Sequence, residues 1–130
     1  MLKKNSPARH GLNIIIVGCG KVGTTLVQQL CKVGHKITIV DKDPSTVQEL
    51  TNLYDIMGII GNGASYSVQI EAGISNADLF IAVTASDELN LLCCTIAKRV
   101  GDCSAIARVR TPDYSKEVGY DYQSGIGGCP

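Results

Sequence analysis

Aromatic side chains are scarce in this 130-residue sequence, which has no tryptophan, one phenylalanine and five tyrosines. Stacking platforms for nucleic-acid bases need such rings, so that mode of recognition is excluded. Neither sign of charge is in excess, since 12 Lys and Arg balance 12 Asp and Glu. No basic run exceeds two residues. The concentrated positive face that nucleic acid demands is therefore missing. No apolar stretch approaches the roughly 20 residues of a membrane span. The N-terminus also lacks the charged, apolar and small-residue succession of a secretory signal. Both absences point to a cytosolic chain that does not insert into a membrane. The two histidines, His10 and His35, stand alone, and the six cysteines at 19, 31, 93, 94, 103 and 129 form no Cys-x-x-Cys pair. That spacing gives no reason to expect a metal site. It suits reduced, mostly buried thiols.

What is present is glycine in an informative place. Residues 14–17 read Ile-Ile-Ile-Val and run straight into Gly18-Cys19-Gly20-Lys21-Val22-Gly23. A helical run follows, and then Ile37-Thr38-Ile39-Val40-Asp41. A strand, a Gly-x-Gly-x-x-Gly turn, a helix and a second strand ending in an acid are the parts of a dinucleotide-binding unit, in order. Gly18 permits the tight turn out of the strand. Gly20 lets the main chain approach a pyrophosphate, and Gly23 lets the helix lie close on the sheet. The phosphates would face free N–H groups at the positive end of that helix. Asp41 follows Gly23 by 18 residues (41 − 23), the spacing of a carboxylate that accepts from ribose hydroxyls. Its charge repels a 2′-phosphate and favours NAD or an adenosine nucleotide over NADP. Cys19 reads as a small filler between glycines. Lys21 reads either as a phosphate contact or as a solvated lysine of the first turn.

The rest of the chain repeats the alternation. Strands are expected over residues 12–17, 37–40, 56–60, 78–83 and 104–109, with helices over 21–33, 65–72 and 87–100. A further helix should open at Asp43-Pro44, where aspartate caps and proline takes the first position, and another at Thr111-Pro112. The apolar stripes would be Val22, Leu26, Val27, Leu30 and Val33 on the first helix, and Val47, Leu50 and Leu53 on the second. On the longest helix they would be Leu89, Leu92, Cys93, Ile96, Ala97 and Val100. This order implies an α/β Rossmann-like, doubly wound parallel sheet of five to six strands with helices on both faces. Ligands of such sheets lie beyond the carboxyl ends of the strands. The binding segments should therefore be residues 18–23, 41–43, 61–65, 84–88 and 108–111. At 130 residues the chain is one domain with a real core. Residues 1–11 read as a flexible leader or non-native remnant, 12–117 as the nucleotide-binding domain, and 118–130 as an irregular tail, non-native or cut short.

Several loop residues admit two readings. Asn62 suits either an adenine edge or a plain turn. Ser86 or Asp87 should cap the next helix, and Thr84 and Ala85 are small enough for the main chain to lie against a nucleotide. Arg108, at the carboxyl edge, either forks onto phosphate or pairs with Asp87 or Glu88.

The segments Val40-Asp41-Lys42-Asp43, Gly61-Asn62-Gly63-Ala64-Ser65, Glu71-Ala72-Gly73-Ile74, Ala82-Val83-Thr84-Ala85-Ser86-Asp87-Glu88-Leu89-Asn90 and Ile106-Ala107-Arg108-Val109-Arg110, with the glycine turn, resemble the nucleotide-binding lobe of RCK/KTN domains, of the type found in TrkA-like regulators of potassium uptake. The resemblance covers about residues 12–117. It implies a regulator on the cytoplasmic face of a Trk-type potassium-translocating membrane subunit, not an enzyme. NAD(H) or ATP/ADP would be the ligand, and the lobes would pair into dimers or rings. The cofactor-binding set is then Gly18, Cys19, Gly20, Lys21, Val22, Gly23, Asp41, Lys42, Asn62, Thr84, Ala85 and Arg108. The alternatives are the Rossmann domain of an NAD-dependent oxidoreductase, or an interaction module with an empty site.

Overall fold

The computed structural model describes residues 11–113 and the backbone of 126–128. Five strands, β1 (Asn13–Val17), β2 (Lys36–Asp41), β3 (Met57–Ile60), β4 (Leu79–Ala82) and β5 (Ser104–Arg108), alternate with four helices, α1 (Lys21–Lys32), α2 (Pro44–Leu53), α3 (Tyr66–Glu71) and α4 (Asp87–Val100). A sixth strand, β6 (Ile126–Gly128), completes a sheet of order β3-β2-β1-β4-β5-β6. The first five strands are parallel, as expected from their alternation with helices. The chain winds outward from β1 to β3, then crosses to β4 on the other side. This reversal sits between β1 and β4 and opens a crevice at their carboxyl ends.

The central strands β1 and β4 are buried on both faces, so they are almost continuously apolar. Period-two alternation still sorts the sheet's side chains. Ile14, Ile16, Ile37, Ile39 and Ile81 face α1 and α2, where Val27, Val47 and Leu50 meet them. Ile15, Val17, Val40, Phe80 and Ala82 face the opposite way, toward Cys93, Cys94 and Ala97 of α4. The caps follow local chemistry. The Asp43 side chain accepts from the Ser45 amide ahead of Pro44. Ser65 caps α3 and Ser86 caps α4 through their hydroxyls.

Three leucine and valine placements need correction. Val33, Leu53 and Leu92 are 62%, 66% and 50% exposed. Val33 is the cap residue after α1, and Leu53 ends α2; on these last turns Leu30, Cys31 and Tyr54 make the core contacts instead. On α4 the buried stripe is Asn90, Cys93, Cys94 and Ala97. Leu92 lies round the other side of the helix at 3.6 residues per turn. Small side chains let α4 settle close on the sheet, and the larger leucine turns out.

β6 also departs from expectation. It is antiparallel, pairing Arg108 with Ile126 and Ile106 with Gly128, and it arises from the tail expected to be irregular. A ladder at a sheet edge requires only backbone groups, so two glycines hide the strand from hydrophobic-pattern reading. Residues 1–10 of the expected leader, and 114–125 and 129–130 of the tail and the last expected helix, lie outside the described residues. Pro112 and Asp113 are helical, as the cap-and-proline pair at Thr111-Pro112 suggested. Among the described residues, no helix is long and apolar enough to cross a membrane.

Of the described glycines, the one with least room for a side chain lies under the glycine turn. A side chain on Gly23 would overlap the Gly18 carbonyl oxygen. Gly23→Ala should therefore lower stability by roughly 1–3 kcal/mol, the scale of overpacking in a dense core. Urea unfolding measures this, and an unchanged midpoint would mean α1 does not sit this close to the sheet.

Candidate functional site

The turn leaving β1 is built for close approach. Gly18 has φ of +100°, a conformation that only glycine adopts without strain. A Cβ there would also press within 2.8 Å of the Thr84 amide nitrogen. The missing side chain thus brings the β1 turn against the loop after β4. Helix α1 begins directly behind it. Gly20 is its N-cap, and no side chain caps it. The N–H groups of Gly20, Lys21, Val22 and Gly23 therefore have no intrahelical acceptor. A side chain at Gly20 would meet no atom within 4 Å. This uncapped helix end opens onto free space.

Asp41 ends β2 beside this turn. Its Oδ2 accepts from the Cys19 amide at 2.7 Å, and its Oδ1 from the Asp43 amide at 2.9 Å. One carboxylate thus fixes both the glycine turn and the entry to α2. Each oxygen keeps a further lone pair for another donor. Cys19 is buried. Burial, and then the Asp41 charge, push its thiol up to about 12.

The remaining loops close the space. Asn62 Oδ1 accepts from the Ala64 amide at 2.9 Å, an Asx turn. The Asn62 side chain is exposed and lines the same cavity. Gln69 on α3 is 1% exposed. It donates to the Gly63 carbonyl at 2.8 Å and to the Cys93 carbonyl at 3.1 Å, tying the loop after β3 to α4. Thr84, after β4, donates its hydroxyl to Asn90 Oδ1 at 2.7 Å.

These segments enclose a cavity of about 410 Å³ at the carboxyl edge, within the usual range for small-molecule sites. All the expected site residues line it except Gly23, which lies beneath the turn. Arg108 lines it too, and its expected alternative pairing is not what the structure gives Asp87. That carboxylate instead accepts from the Arg110 and Thr111 amides at 3.0 and 2.8 Å. Gly63, Ser86 and Arg110, which lie in the expected binding segments without being named as contacts, also line the cavity, and so does Leu89 from outside those segments. The signal for Arg110 was available, because it stands two residues beyond Arg108 and period two puts both on one side of an extended segment. Its guanidinium donates to the Ala85 carbonyl at 2.8 Å. Lys21, Lys42, Arg108 and Arg110 therefore surround the cavity with Asp41 as its one carboxylate. The sequence as a whole has zero net charge. Positive charge is thus concentrated where an anion would sit.

Comparison with known proteins gives this architecture a lineage. The profile of the TrkA-N domain matches residues 14–123. The chain belongs to the TrkA-N domain family. Over 112 residues this TrkA-N domain is 38% identical to the Trk system potassium uptake protein TrkA homolog of Methanothermobacter thermautotrophicus, covering 84% of the chain and 52% of that protein. The chain thus spans about half the length of that relative. Among solved structures, the domain is similar to the NAD(P)-binding domain of an exopolyphosphatase-related protein from Archaeoglobus fulgidus. The TM-score is 0.72 at 25% identity, covering 82% of this chain and 79% of that one. The RCK domain of the GsuK channel shares the fold, with a TM-score of 0.70 at 19% identity over 87% of this chain and 24% of that one.

Two outcomes follow from the protonation of this TrkA-N domain. The Cys19 thiol stays protonated at neutral pH, and thiolate is the reactive form. Cys19 should therefore resist iodoacetamide at pH 7.5 in the folded protein and react only on unfolding, as peptide mapping would read. Rapid native labelling would contradict its burial. For Asp87, burial alone pushes the carboxyl up. The Thr111 hydroxyl, the Arg110 and Thr111 amides and the Arg110 charge outweigh that and hold it below the ordinary value. A lowered folded-state value contributes stability above the unfolded value, and that stability is lost as pH falls through the folded one. Asp87→Asn should cost about 1–3 kcal/mol at pH 7, and its deficit against wild type should shrink below about pH 4. A deficit independent of pH would remove the charge from the account.

Proposed function

We propose that this TrkA-N domain is the nucleotide-binding part of a regulator that controls a Trk-type potassium-translocating membrane subunit. NAD(H) or ATP/ADP is the ligand. The observation that carries the reading is the uncapped start of α1 facing an open cavity across Gly20, a seat for phosphate. In this reading the main-chain amides from Gly20 to Gly23 take the pyrophosphate, with Cys19 holding the turn and Lys21 adding charge. Asp41 accepts from the ribose hydroxyls with its remaining lone pairs, and Lys42 flanks it. Asn62 offers its amide group to the adenine edge. Thr84 and Ala85 lie against the nucleotide, and Arg108 takes phosphate oxygens.

The potassium-uptake name of the relative and the NAD(P)-binding neighbour support this assignment. The regulator sits in the cytoplasm, peripheral to the inner face of the membrane. It acts as a homodimer or larger ring. Control rests on differential affinity, since a ligand moves a two-state assembly only by as much as it prefers one state. Turnover is not part of this function. Steady NADH oxidation with small carbonyl substrates would favour an oxidoreductase instead.

Calorimetric titration with NADH, ATP and ADP tests the ligand assignment. Asp41→Ala should weaken binding by about 1–3 kcal/mol, the scale of hydrogen bonds to a charged group. Gly20→Val should be worse, because its side chain fills the phosphate's space. Unchanged affinity in Asp41→Ala would remove that carboxylate from the site. Absence of heat and of thermal stabilisation with all three nucleotides at millimolar concentration would leave only a module with an empty site.

A further inference from the structure

Beneath the cavity, α4 presents a buried carboxamide. Asn90 is fully buried. Its Oδ1 accepts from the Thr84 amide at 2.8 Å and from the Thr84 hydroxyl at 2.7 Å. Its Nδ2 donates to the Thr84 carbonyl at 3.1 Å and to the Arg108 carbonyl at 2.9 Å. Both amide hydrogens and both oxygen lone pairs are used, the full capacity of the group. The location explains the need. The ladder between β4 and β5 ends at Ala82 and Ala107. Beyond that pair, Val83 donates its amide to the Val17 carbonyl of β1. Thr84 lies one residue past this closing bond of the β1–β4 ladder, and Arg108 one residue past the last β4–β5 pair. Asn90 bridges the two and supplies the bonds the ladder no longer makes.

We propose that Asn90 is a positioning residue for ligand binding. It holds Thr84 and Arg108 at one separation across the cavity floor, so that both meet the same nucleotide. The inference rests on the nucleotide-binding function proposed above. A core position needing only bulk would take an apolar side chain, since burying an amide costs free energy unless its hydrogen bonds are made. Here those bonds go to the two segments on either side of the site.

The test is ADP titration by calorimetry on four folded proteins: wild type, Asn90→Ser, Arg108→Ala and the double variant. Asn90→Ser should weaken ADP about tenfold, the equivalent of one hydrogen bond to a charged group. The double variant should lose less than the product of the two single losses, by at least about threefold, because residues acting together are not additive. Wild-type affinity in Asn90→Ser with only a lower melting temperature would overturn the inference and leave Asn90 a structural residue. Losses that multiply would also overturn it. Should Asn90→Ser not fold, hydrogen exchange of the Asn90 side-chain amide in the wild type decides the matter. ADP should slow that exchange, and equal rates with and without ADP count against positioning. Failure of the wild type to take up ADP would instead sink the functional reading beneath it.

Discussion

The bond from the Cys19 amide to the Asp41 carboxylate, at 2.7 Å, is the contact on which the site depends. It joins the end of β2 to the turn leaving β1, so both sides of this corner of the crevice share one anchor. Close packing beneath the turn does the rest. Gly23 leaves no room between α1 and the Gly18 carbonyl, so the first turn of the helix is held at the sheet edge. The open amides of α1 and the carboxylate of Asp41 thereby face one volume, and neither is free to drift.

Helix α4 frames the other side. Its stripe of Cys93, Cys94 and Ala97 is small enough to lie close on the sheet. Two buried amides then convert that closeness into fixed loop positions. Gln69 reaches from α3 to the Gly63 and Cys93 carbonyls, and Asn90 reaches from α4 to Thr84 and Arg108. At the rim, Asp87 gathers the amides of Arg110 and Thr111. The loops after β3, β4 and β5 are therefore braced on the same helix, and a shift of α4 would move all three.

Much of this was legible in the sequence, because the residues concerned act locally. Gly18 and Gly23 announce a turn, and Asp43-Pro44 announces a helix start. Asp41 can be located by counting from the glycines. The strands were visible as apolar runs, since a parallel sheet hides both faces. Other features depended on partners distant in the chain. Asn90 looks like an ordinary helix residue until its 18-residue reach to Arg108 closes. Gln69 gives no local sign that it will be buried. Leu92 belongs to an apolar pattern, yet small cysteines take the sheet-facing side. β6 forms through backbone pairing alone, which a hydrophobic pattern does not report. Arg110 could have been found beside Arg108 by alternation, although its bond to the Ala85 carbonyl could not.

The central claim is that a nucleotide's phosphates rest on bare amides at the start of α1 while its ribose meets Asp41. A crystal structure of the protein grown with NADH in excess tests this most directly. The account predicts the pyrophosphate over Gly20 and a ribose hydroxyl donating to the Asp41 carboxylate. A vacant crevice, or NADH bound elsewhere with the amides of α1 covered by a side chain, would contradict it.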